Sequence, residues 1–219
     1  MKKLYIFNYF LLSMNYFEMK KKEAIDFLKG NASDNSQKGK VDVQIKPLLE
    51  VINGINEFYT TSSCAGRINL LQLRSGKNDS DWIYMTHKVI SLDSIDEICD
   101  LIKSSSGEIW FKMESPILHV CASSLDYADK FLHIANMSGF KRSGIISTSK
   151  RIMIECLSTE KVEIPFRYKD ELLIDDNLKS YLTKIIKISN KRLKRSRKKI
   201  ANFEEKLKNN FAVSDYRNI

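Results

Sequence analysis

The chain has 219 residues, 43% of them hydrophobic, with 11 Phe, 9 Tyr and 2 Trp. That supports one large domain, or a domain with an appendage, and excludes a chain disordered throughout. Its 36 basic and 27 acidic residues leave a formal charge of +9, which points to a polyanion, either nucleic acid or an anionic membrane surface, unless the lysines only reflect a Lys-rich composition.

Residues 1–13 imitate a signal peptide, with Met1-Lys2-Lys3 before the apolar run Leu4 to Leu12. Asn8 interrupts the run, which is too short for a bilayer, and no small-residue cleavage site follows. Residues 1–18 therefore read as an extension or mis-assigned start, ahead of an α+β catalytic domain over 19–175 and a long basic helix and tail over 176–219. No membrane partner and a cytoplasmic location are expected.

Phe17 to Leu28 has helical spacing and stops at Gly30. Residues 31–40 have loop composition and hold Asp34, Ser36 and Lys38. Val41 to Ile52 reads as a helix, with Pro47 tolerable near its first turn. Tyr59-Thr-Thr-Ser-Ser-Cys-Ala-Gly-Arg-Ile68 carries four consecutive hydroxyls, a thiol, a glycine and an arginine. Each buried hydroxyl needs a partner, so the stretch reads as a polar loop on the lip of a sheet, with a self-bonded β-turn as the plainer alternative. Gly66 allows close backbone approach, and Arg67 offers a fork for carboxylate or phosphate. Strands are expected over Phe58–Thr61, Ile68–Leu73 and Trp82–His87, the last two forming a hairpin.

Ser94-x-x-Glu97 resembles a capping box for a helix burying Ile95, Ile98, Cys99 and Ile102. Strands follow at Glu108–Met113 and Ile117–Ala122, then a helix from Leu125 that Gly139 ends. On an alternating strand His119 faces opposite to Leu118 and Val120; the plainer alternative is a satisfied, half-buried histidine. Residues 140–151 form a basic segment, and Ile152–Cys156 and Lys161–Pro165 are the last strands. From Asp176 to Leu207 one long helix is predicted, on a narrow stripe made half of serine that should pack weakly. Seven of the nine residues from 191 to 199 are Lys or Arg, a run that repels itself without an acidic partner and suits a polyanion better than a merely solvated face.

The four cysteines form no C-x-x-C and the three histidines no metal spacing, so free thiols and no metal are expected. No G-x-G-x-x-G follows a strand and no P-loop is present, which argues against a Rossmann fold. The residues alone thus predict an α+β protein, with a mixed or antiparallel sheet carrying helices, that binds RNA.

Four blocks share an order and spacing with one family: Asp34-x-Ser36-x-Lys38-Gly39-x-Val41-Asp42, Thr60 to Ile68, Trp110 to Cys121, and Ser138-Gly-Phe-Lys-Arg-Ser-Gly-Ile145. They resemble the third tRNA wybutosine-synthesizing protein family, the wyosine-base methyltransferases, over about residues 20–205. The resemblance implies transfer of a methyl group from S-adenosylmethionine to a ring nitrogen (N-4) of the 4-demethylwyosine-type base 3′ of the anticodon in phenylalanine tRNA, by a non-Rossmann methyltransferase. The alternative is a non-catalytic RNA-binding module.

In-line methyl transfer needs positioning and a base. His119 is the natural general base, with His87 as rival. Ser62, Ser63, Cys64, Gly66 and Arg67 are candidates to hold the donor, with Asp34 or Asp42 on its ribose and Ser36 beside them; Asp42 is also a catalytic candidate. Tyr59 and Trp110 are candidates to stack the unstacked base. Lys38, Lys112, Lys141, Arg142, Ser143, Lys191, Arg192, Lys194, Arg195, Arg197 and Lys198 are candidates to contact RNA. Three departures stand out: Ala65 where serine is usual, Ser115 where proline is common, and Leu157 where an arginine is expected.

Overall fold

The computed structural model describes residues 15–29, 41–74, 79–174 and 176–212. Helix α1 (Tyr16–Leu28) starts at Asn15, whose side chain accepts from the Glu18 amide at 3.0 Å while Glu18 accepts from the Asn15 amide at 3.1 Å. This reciprocal cap fixes where the helix begins. Helix α2 (Lys46–Gly54) starts later than predicted because Pro47 fits only the first turn. After it come β1 (Phe58–Cys64), β2 (Arg67–Leu73), β3 (Ser80–Thr86), α3 (Ile95–Ser104), β4 (Glu108–Glu114), β5 (Ile117–Ala122) and α4 (Leu125–Met137). The chain continues through β6 (Gly144–Ser147), β7 (Ile152–Leu157), β8 (Val162–Tyr168), β9 (Glu171–Leu172) and the long α5 (Leu178–Asn210).

Two expectations change. Ser94 makes no side-chain cap; Ser91 instead accepts from the Asp93 amide and opens a short 3₁₀ turn, Leu92–Ser94, that leads into α3. The hydroxyl stretch is not a loop: strand β1 runs through to Cys64, and only Ala65 and Gly66 separate it from β2.

The described residues fall into two compact units, one drawn from 15–63, 118–157 and 201–212, the other from 64–117 and 158–200. The first carries a four-stranded sheet ordered β1-β5-β7-β6. Tyr59, Cys121 and Met153 pack with Phe17 and Ala24 of α1. A separate aromatic cluster joins Phe58 to Phe131 at 4.8 Å, Phe131 to Phe203 at 5.3 Å and Phe203 to Phe140 at 5.1 Å. Tilted and edge-on rings at these separations add to the burial itself. α4 ends where Gly139 takes a φ of +96°, as its sequence position predicts.

The second unit carries an antiparallel sheet ordered β3-β2-β4-β8-β9. Ile68 and Leu70 of β2 and Ile109, Phe111 and Met113 of β4 face a core with Ile95, Ile98 and Ile102 of α3 and Leu178, Leu182, Ile186 and Leu193 of α5. The long helix up to residue 200 thus belongs to this unit, with Leu178 to Leu193 in its core. Its stripe is buried: Ser189 and Ser196 are both fully buried, and neither hydroxyl has a hydrogen-bond partner among the described residues. Asn190 fixes the helix further, donating to the Ile90 carbonyl at 2.8 Å and accepting from its amide at 2.9 Å. The α+β class and the absence of a Rossmann sheet agree with the sequence.

Candidate active site

In the first unit each of three hydroxyls of β1 finds a partner. Asn53 of α2 donates to Thr60 Oγ1 at 2.8 Å and accepts from the Thr60 amide at 3.0 Å, both buried. Thr61 Oγ1 lies 3.4 Å from the His119 carbonyl. Ser62 Oγ lies 2.6 Å from His119 Nδ1, and His119 Nε2 lies 3.1 Å from Glu155 Oε2. The alternation predicted for β5 places the ring: Leu118 and Val120 are fully buried while His119 is half-buried. Glu155 of β7 was not predicted from sequence. Its only signal is its register in a strand, where Met153 and Ile154 are buried and Glu155 is not.

For a neutral imidazole the two partners select a tautomer. An ionised carboxylate only accepts, so Nε2–H donates to Glu155. Nδ1 is then the acceptor and the Ser62 hydroxyl donates to it. Ser62 is exposed, so its oxygen can take a proton from outside as its own passes to His119.

In the second unit Gly66 has a φ of +86°, and a Cβ there would lie 2.8 Å from the Glu114 carbonyl oxygen and 3.1 Å from Pro116 N. Only glycine fits, as predicted. Arg67 bonds Glu114 through Nε, and its guanidinium lies 4.0 Å from the ring centre of Trp82. Cys64 Sγ lies 3.8 Å from His87 Nε2. Arg197 of α5 donates to the Ala65 carbonyl, to the Gly66 carbonyl at 3.2 Å and to the His87 carbonyl at 2.9 Å.

Several expectations are corrected. Tyr59 is only 2% exposed and packs edge-on against Phe17 at 5.0 Å, so its ring is a core ring and offers no face to a base. Arg197 is turned inward to backbone carbonyls and is not a free phosphate contact. Arg192 and Lys199 share the buried Glu160 at 3.4 and 3.0 Å, an acidic partner the sequence reading missed. Of the charged residues from 191 to 199, Lys191, Lys194, Arg195 and Lys198 remain exposed, on one helical face. Lys112 is held by Glu163 at 2.8 Å, and Trp110 is half-buried with Nε1 donating to Glu108 at 3.2 Å.

Lys141 and Arg142 are exposed, with Lys150 and Arg151, on the basic segment around β6, and Ser143 Oγ donates to the Phe140 carbonyl at 2.6 Å. Asp42 opens the turn that precedes α2, its carbonyl accepting from the Ile45 amide at 3.1 Å. Asp34, Ser36 and Lys38 lie outside the described residues. All four cysteines are free, and burial pushes the Cys156 thiol up to about 12. Among the described residues no helix is long and apolar enough to cross a membrane.

The sequence pattern of the family described as Methyltransferase TYW3 matches residues 19–209. A Thermococcus sibiricus protein named tRNA(Phe) 7-((3-amino-3-carboxypropyl)-4-demethylwyosine(37)-N(4))-methyltransferase is 37% identical over 202 residues, covering 90% of this chain and 97% of that protein. A protein of the same name from Methanocaldococcus jannaschii is 38% identical over 176 residues, 78% of this chain and 88% of that one. A solved protein from Pyrococcus horikoshii superposes with a TM-score of 0.74 at 34% identity, covering 91% of this chain and 97% of that one.

Proposed function

Because the chain belongs to the TYW3 methyltransferase family, we propose that it methylates ring nitrogen N-4 of a 4-demethylwyosine-type base in phenylalanine tRNA, with S-adenosylmethionine as donor. The observation that carries this is the hydrogen-bonded series Ser62–His119–Glu155. The attacking ring nitrogen must lose a proton as the new bond forms. Ser62 Oγ accepts that proton and hands its own to His119 Nδ1, and Glu155 holds the resulting imidazolium by its Nε2–H. His119 is therefore the general base, acting through a hydroxyl.

The donor supplies an electrophilic methyl group on a sulfonium. Gly66, at a positive φ and packed against the Glu114 carbonyl, sets the turn into Arg67, which bonds Glu114 through Nε and whose terminal amines make no hydrogen bond among the described residues, a fork suited to a carboxylate. Ser63 and Cys64 complete the donor-binding stretch. Lys141 and Arg142, with Lys191, Lys194, Arg195 and Lys198, are exposed cations suited to RNA phosphates. The decisive experiment incubates tRNA lacking the N-4 methyl group with protein and S-adenosylmethionine, then weighs the nucleosides by mass spectrometry. One methyl added to the wyosine precursor is expected. Saturable RNA binding with no mass change would leave only an RNA-binding module.

A further inference from the structure

We propose that the indole of Trp82 is a stacking platform for an unpaired base of the RNA substrate. Its ligand is taken from the RNA-methylating reading above. The placement of Trp82 requires an irregularity in the sheet. Leu70 pairs with Tyr84 and Leu71 with Trp82, so Ile83 is an extra residue in β3. Side chains in a regular strand alternate, and Trp82 would share a face with Tyr84, which packs against the core. The bulge moves Trp82 to the other face, opposite Leu71, and bulges commonly re-aim a side chain beside a functional site. The result is an indole 52% exposed on an edge strand.

One side of that half-exposed indole carries a cation. Arg67 lies over the ring at 4.0 Å and is itself held by Glu114. A guanidinium fixed against an indole gives a rigid cation–aromatic pair on which a flat base can stack, with the positive charge beside an approaching phosphate. Arg67 belongs to the hydroxyl–glycine stretch proposed to hold the donor, so the platform is continuous with that site along the chain. On the same face of β2, Asn69 lies between Arg67 and Leu71, fully buried, with neither amide atom hydrogen-bonded among the described residues. Trp110 fits the role less well, since it is half-buried and its Nε1 is bonded to Glu108. A base is favoured over a protein partner because the chain carries a net charge of +9, which favours a polyanion.

The chain has two tryptophans, so in a Trp110→Phe background Trp82 is the sole indole. Titration with a synthetic anticodon stem-loop should quench its fluorescence. Trp82→Phe should keep stem-loop affinity within about 3-fold, and Trp82→Leu should lose roughly 5- to 150-fold, the range of one base–aromatic stack. The salt dependence should not change, since no phosphate contact is lost. Equal affinity for Trp82→Leu and the wild type would overturn the proposal. So would a loss confined to S-adenosylhomocysteine binding, or a dimer that Trp82→Leu dissolves. Binding is read without turnover, so a protein that grips the stem-loop through Trp82 and transfers no methyl overturns the enzyme reading alone. Unchanged methylation by Trp82→Leu at sub-saturating RNA overturns the stacking role alone.

Discussion

Arg197→Met is the sharpest test of the architecture, because sequence and structure assign this residue opposite tasks. In the charge run it is one of seven cations suited to RNA; in the fold its guanidinium joins three backbone carbonyls, those of Ala65, Gly66 and His87. A hydrogen bond to a charged group contributes about 1.5–3 kcal/mol, and three from one fork are not additive, so the expected loss is about 2–4 kcal/mol. For a chain of this size that lowers the thermal midpoint by roughly 5–12 °C. Methionine keeps the apolar stem, so the loss reports the guanidinium. Lys198→Met is the control: Lys198 is exposed and should leave the midpoint within about 2 °C while reducing the slope of log K against log salt by roughly 0.7–0.9. Added guanidinium ion should restore part of the midpoint in an Arg197→Ala protein. If Arg197→Met melts like the wild type and instead flattens the salt slope as Lys198→Met does, the tether is not real and the residue is a phosphate contact.

Glu155→Gln should slow methyl transfer about 10- to 100-fold with donor affinity unchanged, because an amide cannot hold the imidazolium; single-turnover kinetics with calorimetric donor binding checks both halves. Of the four cysteines, one should react fast with a thiol reagent in the native protein. It is the partly exposed Cys64, since Cys99, Cys121 and Cys156 are buried with thiols pushed up by burial, and peptide mapping identifies it. Lys21 donates to the carbonyls of Ile55 and Phe58, the latter at 2.9 Å, and burial pulls its amine down to about 8. Between that value and the unfolded pKa near 10.4 the unfolded chain holds a proton the folded chain lacks, so this group adds stability as pH rises. Denaturant curves for wild type and Lys21→Met should differ in pH dependence by up to about 3 kcal/mol across that window; parallel profiles would show that the amine titrates normally.

Periodicity made most elements legible. The i, i+3, i+4 spacing of Ile95, Ile98, Cys99 and Ile102 is the buried face of α3, and Gly139 marks the end of α4. What periodicity could not supply was competition between caps and between backbone states. Ser94 and Glu97 fit a capping box by spacing, but Ser91 begins the turn three residues earlier and takes the cap. The four hydroxyls of β1 suggested a loop because buried hydroxyls need partners. For Thr60, Thr61 and Ser62 those partners exist, in Asn53, the His119 carbonyl and the His119 ring, all on other elements.

The candidate site divides the same way. Residues whose role is set by backbone geometry were readable: Gly66 from the need for a bare Cα, His119 from strand alternation. Residues whose role is set by a partner were not. Glu155, Glu160 and Trp82 carry no local pattern that separates them from an ordinary strand or loop residue. Each acquires its role from a neighbour 32 or more positions away or, for Trp82, from a one-residue bulge and an arginine 15 positions earlier. The same rule explains the basic helix. A run of like charges looks uniform in sequence, yet Arg192, Arg197 and Lys199 are consumed by one buried carboxylate and three carbonyls, and Lys191, Lys194, Arg195 and Lys198 face outward. Helical spacing sorts residues into faces, but only the fold says which face holds the chain together and which is left for a polyanion.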